Sequence, residues 1–287
     1  MKITLLGYGE VGKILAEDLA ACGHALSAFD VRAAESTLQA HARALGVVVA
    51  DSHAAAVRGA GLVISAVTPS QTIAVAAAAA AGIAPGAFFL DFNSASPGAK
   101  IEAARLISLA GGRYVEGAVM TSVPPYRIKV PLLHELGFAP KVASGTLGVA
   151  SATKMCRSIM IKGLEAMVVE SFTTARHYGV EDAVIASLVE TFPAIDWERQ
   201  GAYFFQRVIE HGRRRSEELR EVAVTVQDAG LAPHSAAGTA ARQAWVADLG
   251  DRGLFGVREA TGFARSADWR LEADRILEHV NKRVDGL

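Results

Sequence analysis

The chain has 287 residues, 51% of them hydrophobic, with a formal net charge of −1. That length accommodates two domains, and the near-zero charge points to neither nucleic acid nor an anionic membrane as a partner. Two cysteines, Cys22 and Cys156, allow no disulfide framework and no C-x-x-C metal spacing.

The first twelve residues carry the strongest signal. An apolar strand starting at Met1 runs into Gly7-Tyr8-Gly9-Glu10-Val11-Gly12, which fits G-x-G-x-x-G. Gly7 permits the tight turn out of the strand. Gly9 has no side chain, so a pyrophosphate can approach the backbone. Gly12 lets the following helix pack closely on the sheet with its first amides aimed at the phosphates. The context agrees: an Ala/Leu-rich helix, Lys13 to Ala21, then a second strand, Ala25 to Phe29, ending at Asp30. That acid lies 23 residues past Gly7, where a carboxylate accepts from a ribose diol. Asp30 favours NAD, because it repels a 2′-phosphate. Arg32, two residues on, can instead clamp that phosphate, so NADP is the second choice.

Strands and helices then alternate. A helix is expected over Arg32 to Leu45, a short strand over Gly46 to Ala50, and a brief helix over Ser52 to Arg58. Gly61 to Val67 is continuously apolar, as for a strand buried on both faces. It ends at Val67-Thr68-Pro69, on the carboxyl edge where open α/β sheets bind ligands. The alanine run Ala74 to Ala81 reads as a packed helix stopped by Gly82. Ala87 to Leu90 is the next strand and leads into Asp91-Phe92-Asn93-Ser94-Ala95-Ser96-Pro97. A helix over Lys100 to Ala110 follows, and strands at Arg113 to Glu116 and Lys141 to Ser144 complete a mostly parallel sheet.

From Val149 to Tyr178 there is no proline and one interior glycine, Gly163. Such a helix of ~30 residues is ~45 Å long, which suits a domain-spanning or dimer-forming element. Gly179 caps it. The rest reads helical: Glu181 to Thr191, Trp197 to His211, Arg213 to Asp228, Ser235 to Leu249 and Trp269 to Val284. Trp197 and Tyr203-Phe204-Phe205 are core candidates that can alternatively line an apolar substrate pocket, and Arg213-Arg214-Arg215 reads as a solvated helix face. The expected architecture is an α/β Rossmann-type domain, 1–147, followed by an all-α domain, 148–287, joined by the long helix. With the first strand beginning at Met1 and no apolar run long enough to span a bilayer, a cytoplasmic location is expected.

Lys154 lies near the start of the long helix, after Gly145-Thr-Leu-Gly148-Val-Ala-Ser-Ala-Thr. A lysine on a rigid helix can act as a general acid once burial lowers its pKa. From position alone it reads either so or as a surface lysine of an amphipathic helix.

The order of these motifs resembles the β-hydroxyacid dehydrogenases, which include 3-hydroxyisobutyrate and 6-phosphogluconate dehydrogenases. The quoted motifs are G-x-G-x-x-G, then Asp91 to Pro97, then Glu116-Gly-Ala-Val-Met120, then small residues leading to Lys154. The resemblance covers most of the first 165 residues. The helical second half looks like a branch of that superfamily with a distinct C-terminal domain. The resemblance implies that Lys154 is the catalytic acid/base for hydride transfer between a nicotinamide and a CH–OH or carbonyl substrate.

This chain departs from the family at three places. Asp91-Phe92-Asn93-Ser94 replaces Asp-x-Ser-Thr, though Asn93 and Ser94 remain good donors for a substrate carboxylate or hydroxyl. Glu116-Gly117-Ala118-Val119-Met120-Thr121-Ser122 replaces Asp-Ala-Pro-Val-Ser-Gly-Gly, so Met120 and Thr121 stand in the substrate segment without its glycine pair. Ser158 takes the place of an asparagine one turn after the lysine. Lys162, about 80° around the helix from Lys154, can face the same cleft or form a salt bridge. His211, with Arg213 and Arg214, can hold an anionic group or simply lie on a solvated face. Pro124-Pro125-Tyr126 reads as a loop near the cleft mouth.

The expected partners are a small-molecule substrate and a second copy of the chain, with no nucleic acid, no membrane and no metal. An imine reductase-like enzyme shares this fold but replaces the lysine. A non-catalytic NAD(P)-binding sensor is the alternative from another class.

Overall fold

A computed structural model describes residues 1–120, 144–257, 263 and 266–284. The chain divides into two compact units, Met1–Cys156 and Arg157–Leu287.

The first unit is built on six parallel strands. They are β1 (Lys2–Leu6), β2 (Ala25–Phe29), β3 (Val48–Val49), β4 (Leu62–Ser65), β5 (Phe88–Asp91) and β6 (Arg113–Glu116). Their order is β3-β2-β1-β4-β5-β6, all parallel. Between them run α1 (Glu10–Ala21), α2 (Ser36–Ala44), α3 (His53–Val57), α4 (Thr72–Ala80) and α5 (Pro97–Leu109). Side chains alternate across each strand. Ile3 and Leu5 therefore pack with Leu15 and Leu19 of α1 on one face, while Leu6 packs with Val63, Val75 and Phe89 on the other. Helices on both faces explain why these strands read as unbroken apolar runs.

The strand order reverses between β1 and β4. At such a switch point the crossovers leave to opposite faces and open a crevice at the strands' carboxyl ends. Gly7 and Val67 stand there, at the exits of β1 and β4.

The helix α6 (Val149–Tyr178) begins in the first unit, and its residues from Arg157 onward belong to the second. The second unit continues with α7 (Glu181–Thr191), α8 (Trp197–Asp228), α9 (His234–Asp251) and α10 (Trp269–Val284). Its core joins Phe172 of α6, Phe205 and Val208 of α8, Val246 of α9 and Trp269 of α10.

Several sequence expectations change. The two helices expected on either side of Gly212 are one helix of 32 residues. Gly212 does not break it. A Cβ there would lie 2.7 Å from the Gln243 carbonyl oxygen, so this glycine exists to let α9 approach. Arg215 is not on a solvated face: it is 6% exposed and ion-paired to Glu165. Tyr203 is not core but half exposed, unlike its neighbours Phe204 and Phe205. The helix expected from Arg32 begins at Ser36, after a turn, and the one expected from Lys100 begins at Pro97. Proline at a first helical position loses no needed hydrogen bond. The strand expected at Lys141 to Ser144, the Pro124-Pro125-Tyr126 loop and Thr121 lie outside the described residues, apart from Ser144, which is not in a strand. No helix among the described residues is long and apolar enough to cross a membrane.

Candidate active site

The glycine loop is shaped by collisions that side chains would cause. Gly7 has φ +90°, and a Cβ on it would strike the Ala66 carbonyl oxygen. A Cβ on Gly12 would strike the Gly7 carbonyl oxygen. These two glycines are required by the fold. Gly9 differs, because a Cβ there would meet only the Arg32 guanidinium, 3.5 Å away. The fold thus leaves room above Gly9. Gly9 is also the N-cap of α1 and supplies no capping side chain, leaving the first-turn amides for an external acceptor. A dinucleotide pyrophosphate fits this cradle.

Glu10 is exposed at the start of α1, while Val11 is partly buried against the core. Tyr8 enters the loop through its backbone alone. Its ring is fully buried, its hydroxyl lies 3.1 Å from His41 Nδ1, and burial, with Glu17 second, pushes the phenol up to about 12. Asp30 binds the loop directly. One carboxylate oxygen accepts from the Tyr8 amide at 2.7 Å and the other from the Arg32 amide at 2.8 Å. Arg32 Nε stands 3.6 Å from Asp30, with the Arg32 side chain 55% exposed.

Asn93 fixes the exit of β4. Its Oδ1 accepts from the Val67 amide at 2.7 Å, and its Nδ2 donates to Ser65 Oγ at 3.0 Å. Thr68 is exposed just beyond, ahead of a 3₁₀ turn at Pro69–Gln71. Beneath lies a network that sequence patterns did not reveal. Lys100 Nζ contacts Asp91 Oδ1 at 2.8 Å and donates to the Asp91 carbonyl at 3.0 Å, while Tyr114 donates to Asp91 Oδ2 at 2.7 Å. Burial pushes the Lys100 ammonium down, against the raising effect of Asp91, and pushes the Tyr114 phenol up. The three residues come from β5, α5 and β6, and nothing local in the sequence ties them together.

Ser94 follows Asn93 at the same edge. Its Oγ accepts from Lys154 Nζ at 2.6 Å. Lys154 follows the start of α6, where the Glu116 carboxylate accepts from the amide of Gly148, just before the helix, and of Ser151 in its first turn, each at 2.6 Å. Met120, 39% exposed, lies four residues past β6.

Residues 2–123 match the NAD binding domain of 6-phosphogluconate dehydrogenase, and residues 175–246 match a domain of unknown function, DUF1932. The chain is similar to a conserved hypothetical protein from Sinorhizobium meliloti 1021. The two are 35% identical, with 96% of each chain covered and a TM-score of 0.69. The chain belongs to the same family as that Sinorhizobium meliloti protein. Its N-terminal part is an NAD(P)-binding domain, and its C-terminal part is of the DUF1932 type. The fold is shared with a 3-hydroxyisobutyrate dehydrogenase from Mycobacterium tuberculosis, solved with L-serine. That chain is 19% identical, with 86% of this chain and 94% of that one covered and a TM-score of 0.66. An uncharacterized 28.5 kDa protein of Methanothermus fervidus is 26% identical over 252 residues, 81% of this chain and 94% of that protein.

The first unit thus brings Gly7 to Gly12, Asp30, Arg32, Val67, Thr68, Asn93, Ser94 and Lys154 to one sheet edge. Ser158, Lys162 and His211 belong to the second unit. Ser158 is buried. Lys162 is buried against Glu218, which Arg214 also binds at 2.7 Å. His211 Nε2 lies 3.6 Å from Glu210, and burial followed by the Arg207 charge pushes its pKa down to about 4. Arg213 is committed to Asp248 and Asp251 at 2.6 and 2.7 Å.

Proposed function

We propose that this protein is an NAD(P)-dependent oxidoreductase acting on a CH–OH/carbonyl pair, with a hydroxyacid or related small alcohol as substrate and Lys154 as the general acid/base. The observation that carries this reading is the 2.6 Å hydrogen bond from Lys154 Nζ to Ser94 Oγ, at the same sheet edge as the glycine cradle. It holds a proton donor and a hydroxyl together where ligands of open α/β sheets bind.

The dinucleotide, when bound, supplies or accepts the hydride. Gly9 and the first amides of α1 would receive its pyrophosphate, and Asp30 would accept from its ribose, which favours NAD over NADP. Lys154 Nζ, as the ammonium, gives a proton to the carbonyl oxygen during reduction. In the reverse direction the neutral amine takes the proton of the substrate hydroxyl. Ser94 Oγ accepts from Lys154 and keeps its own O–H for a substrate oxygen, so it orients both partners. The loss of the family's glycine pair beyond Val119 fits a substrate whose anionic group, if present, is held by other contacts.

We also propose a homodimer, supported by the length of α6. Sedimentation at micromolar concentration checks this, and a monomer contradicts it. The activity is tested by screening hydroxyacids, amino alcohols and aromatic alcohols for nicotinamide reduction by the wild-type chain and by Lys154→Ala. Turnover of at least one class by wild type only is expected. NAD(H) binding without turnover of any class favours a sensor.

A further inference from the structure

We propose that Glu116 is a positioning residue for Lys154: it clamps the first turn of α6 so that the Lys154 ammonium meets Ser94. This rests on the reading of Lys154 as the acid/base, and it concerns how that group is held.

The clamp has two points. Glu116 is the last residue of β6, and its two carboxylate oxygens accept from two different amides, Gly148 and Ser151, each at 2.6 Å. First-turn amides have no acceptor within their own helix. A carboxylate there gains charge-assisted hydrogen bonds and a favourable interaction with the helix dipole. A single bond would fix the helix end but leave it free to rotate. Two bonds to residues three apart fix rotation as well.

Rotation is what matters for Lys154, three residues after Ser151. Turning α6 by about 10° moves an atom about 8 Å from the helix axis by roughly 1.4 Å. Misplacing a reacting group by about 1 Å can cost about 10²-fold in rate.

The surroundings make the clamp rigid. Gly148 has φ +88°, and a Cβ there would touch Pro97 and Ile101 of α5, so the loop entering α6 lies on the helix that follows Ser94. Ser151 is buried, and its hydroxyl donates to the Gly148 carbonyl at 3.1 Å. Glu116 pairs in register with Asp91 on β5, and Asp91 is itself fixed by Lys100 and Tyr114. Both carboxylates therefore stand on one braced edge, one holding the sheet and the other the helix.

An ordinary cap would affect stability alone, so the test reads Lys154 itself. The full-length chain is compared as wild type, Glu116→Gln and Glu116→Asp by nitrogen-15 NMR of the lysine ammonium groups, with Lys154 assigned from its loss in Lys154→Arg. In Glu116→Gln the amide group turns one donor towards a donor, and in Glu116→Asp the shorter arm cannot span both amides. Hydrogen exchange at Lys154 Nζ should accelerate about tenfold in both, the loss of roughly one net hydrogen bond, with NADH affinity within about twofold of wild type.

Ser151→Pro provides a second route if the Glu116 variants do not fold. It removes one clamped amide in the first turn, where proline costs no hydrogen bond within the helix, and Ser151→Ala, which keeps that amide, is its control. Faster exchange in Ser151→Pro but not in Ser151→Ala supports the clamp. Unchanged exchange at Lys154 in a folded Glu116→Gln or Ser151→Pro protein overturns it. Once a substrate is found, Glu116→Gln should lower kcat about 10- to 100-fold with little change in KM, and it should add no further loss to Lys154→Ala. If Lys154→Ala keeps full turnover, the acid/base reading fails, while the exchange measurement still decides the clamp.

Discussion

Lys154 Nζ donates to Ser94 Oγ at 2.6 Å, joining segments 60 residues apart in the chain. Ser94 leaves β5 on the carboxyl edge of the sheet, and Lys154 enters on the first turns of α6. The contact therefore brings the Lys154 ammonium to the same carboxyl edge as Gly9, whose Cβ position is open. Gly9 and Lys154 belong to the same compact unit.

The three loop glycines are separable by experiment. Gly9→Val should fold with a melting temperature close to wild type, because only the exposed Arg32 guanidinium stands near its Cβ. Its NADH affinity should fall at least about 100-fold, since the side chain fills the pyrophosphate position. Gly12→Ala should instead destabilise the fold, because its Cβ would strike the Gly7 carbonyl. Calorimetric titration and thermal melts distinguish the two. Wild-type NADH affinity in folded Gly9→Val would refute the cradle.

Asp30 should make NADH bind more tightly than NADPH. Its carboxylate places negative charge at the carboxyl end of β2, the position proposed to face the ribose, while Arg32 remains solvent-exposed beside it. Asp30→Ala should narrow or reverse the preference, and it should weaken both cofactors because the Tyr8 amide loses its acceptor. Fluorescence titration with each dinucleotide reads this. Tighter NADPH binding by wild type would mean that Arg32 governs the choice.

Asn93 is 4% exposed, with its amide spent on Val67 and Ser65. Asn93→Ala strands the Val67 amide without its acceptor. Denaturant unfolding should show a loss of about 1–3 kcal/mol, together with weaker NADH binding through the displaced Val67–Thr68 segment. A variant of unchanged stability with only a raised substrate KM would make Asn93 a direct substrate contact.

His211 should make the protein less stable in mild acid. Burial, and then Arg207, hold its folded pKa near about 4, below the ordinary 6.5. Between those values the unfolded chain binds a proton that the folded chain refuses. The penalty fades above pH 6.5 and grows as pH falls towards 4, reaching about 3 kcal/mol. His211→Gln should flatten the stability profile over that window. An equal slope in wild type and variant would show that His211 does not cause it.

Much of this was legible in the chain because its cues are local. The glycine motif, the strand before it and the acid after it fix the first crossover, and α6 has the boundaries expected from its lack of proline and its terminal Gly179. Gly212 misled because a glycine that ends a helix and one that admits a neighbouring helix look alike until that neighbour, α9, is seen. Asn93 reads as a ligand donor in sequence, and only the register of β4 beside β5 shows its amide holding Val67 and Ser65. The Asp91–Lys100–Tyr114 network and the Glu116 clamp depend on strand order, which no periodicity encodes. Arg215 and Glu165 lie on different helices, so their buried pairing was likewise invisible.

The most direct measurement is single-turnover hydride transfer, followed by nicotinamide absorbance in wild type and Lys154→Ala across pH 6 to 10. Lys154→Ala should bind NADH as wild type does and transfer hydride about 10²- to 10⁴-fold more slowly, the usual contribution of a positioned acid/base. Its pH profile should also lose the limb that reports the acid. Hydride transfer at the wild-type rate throughout that range would contradict Lys154 as the proton donor.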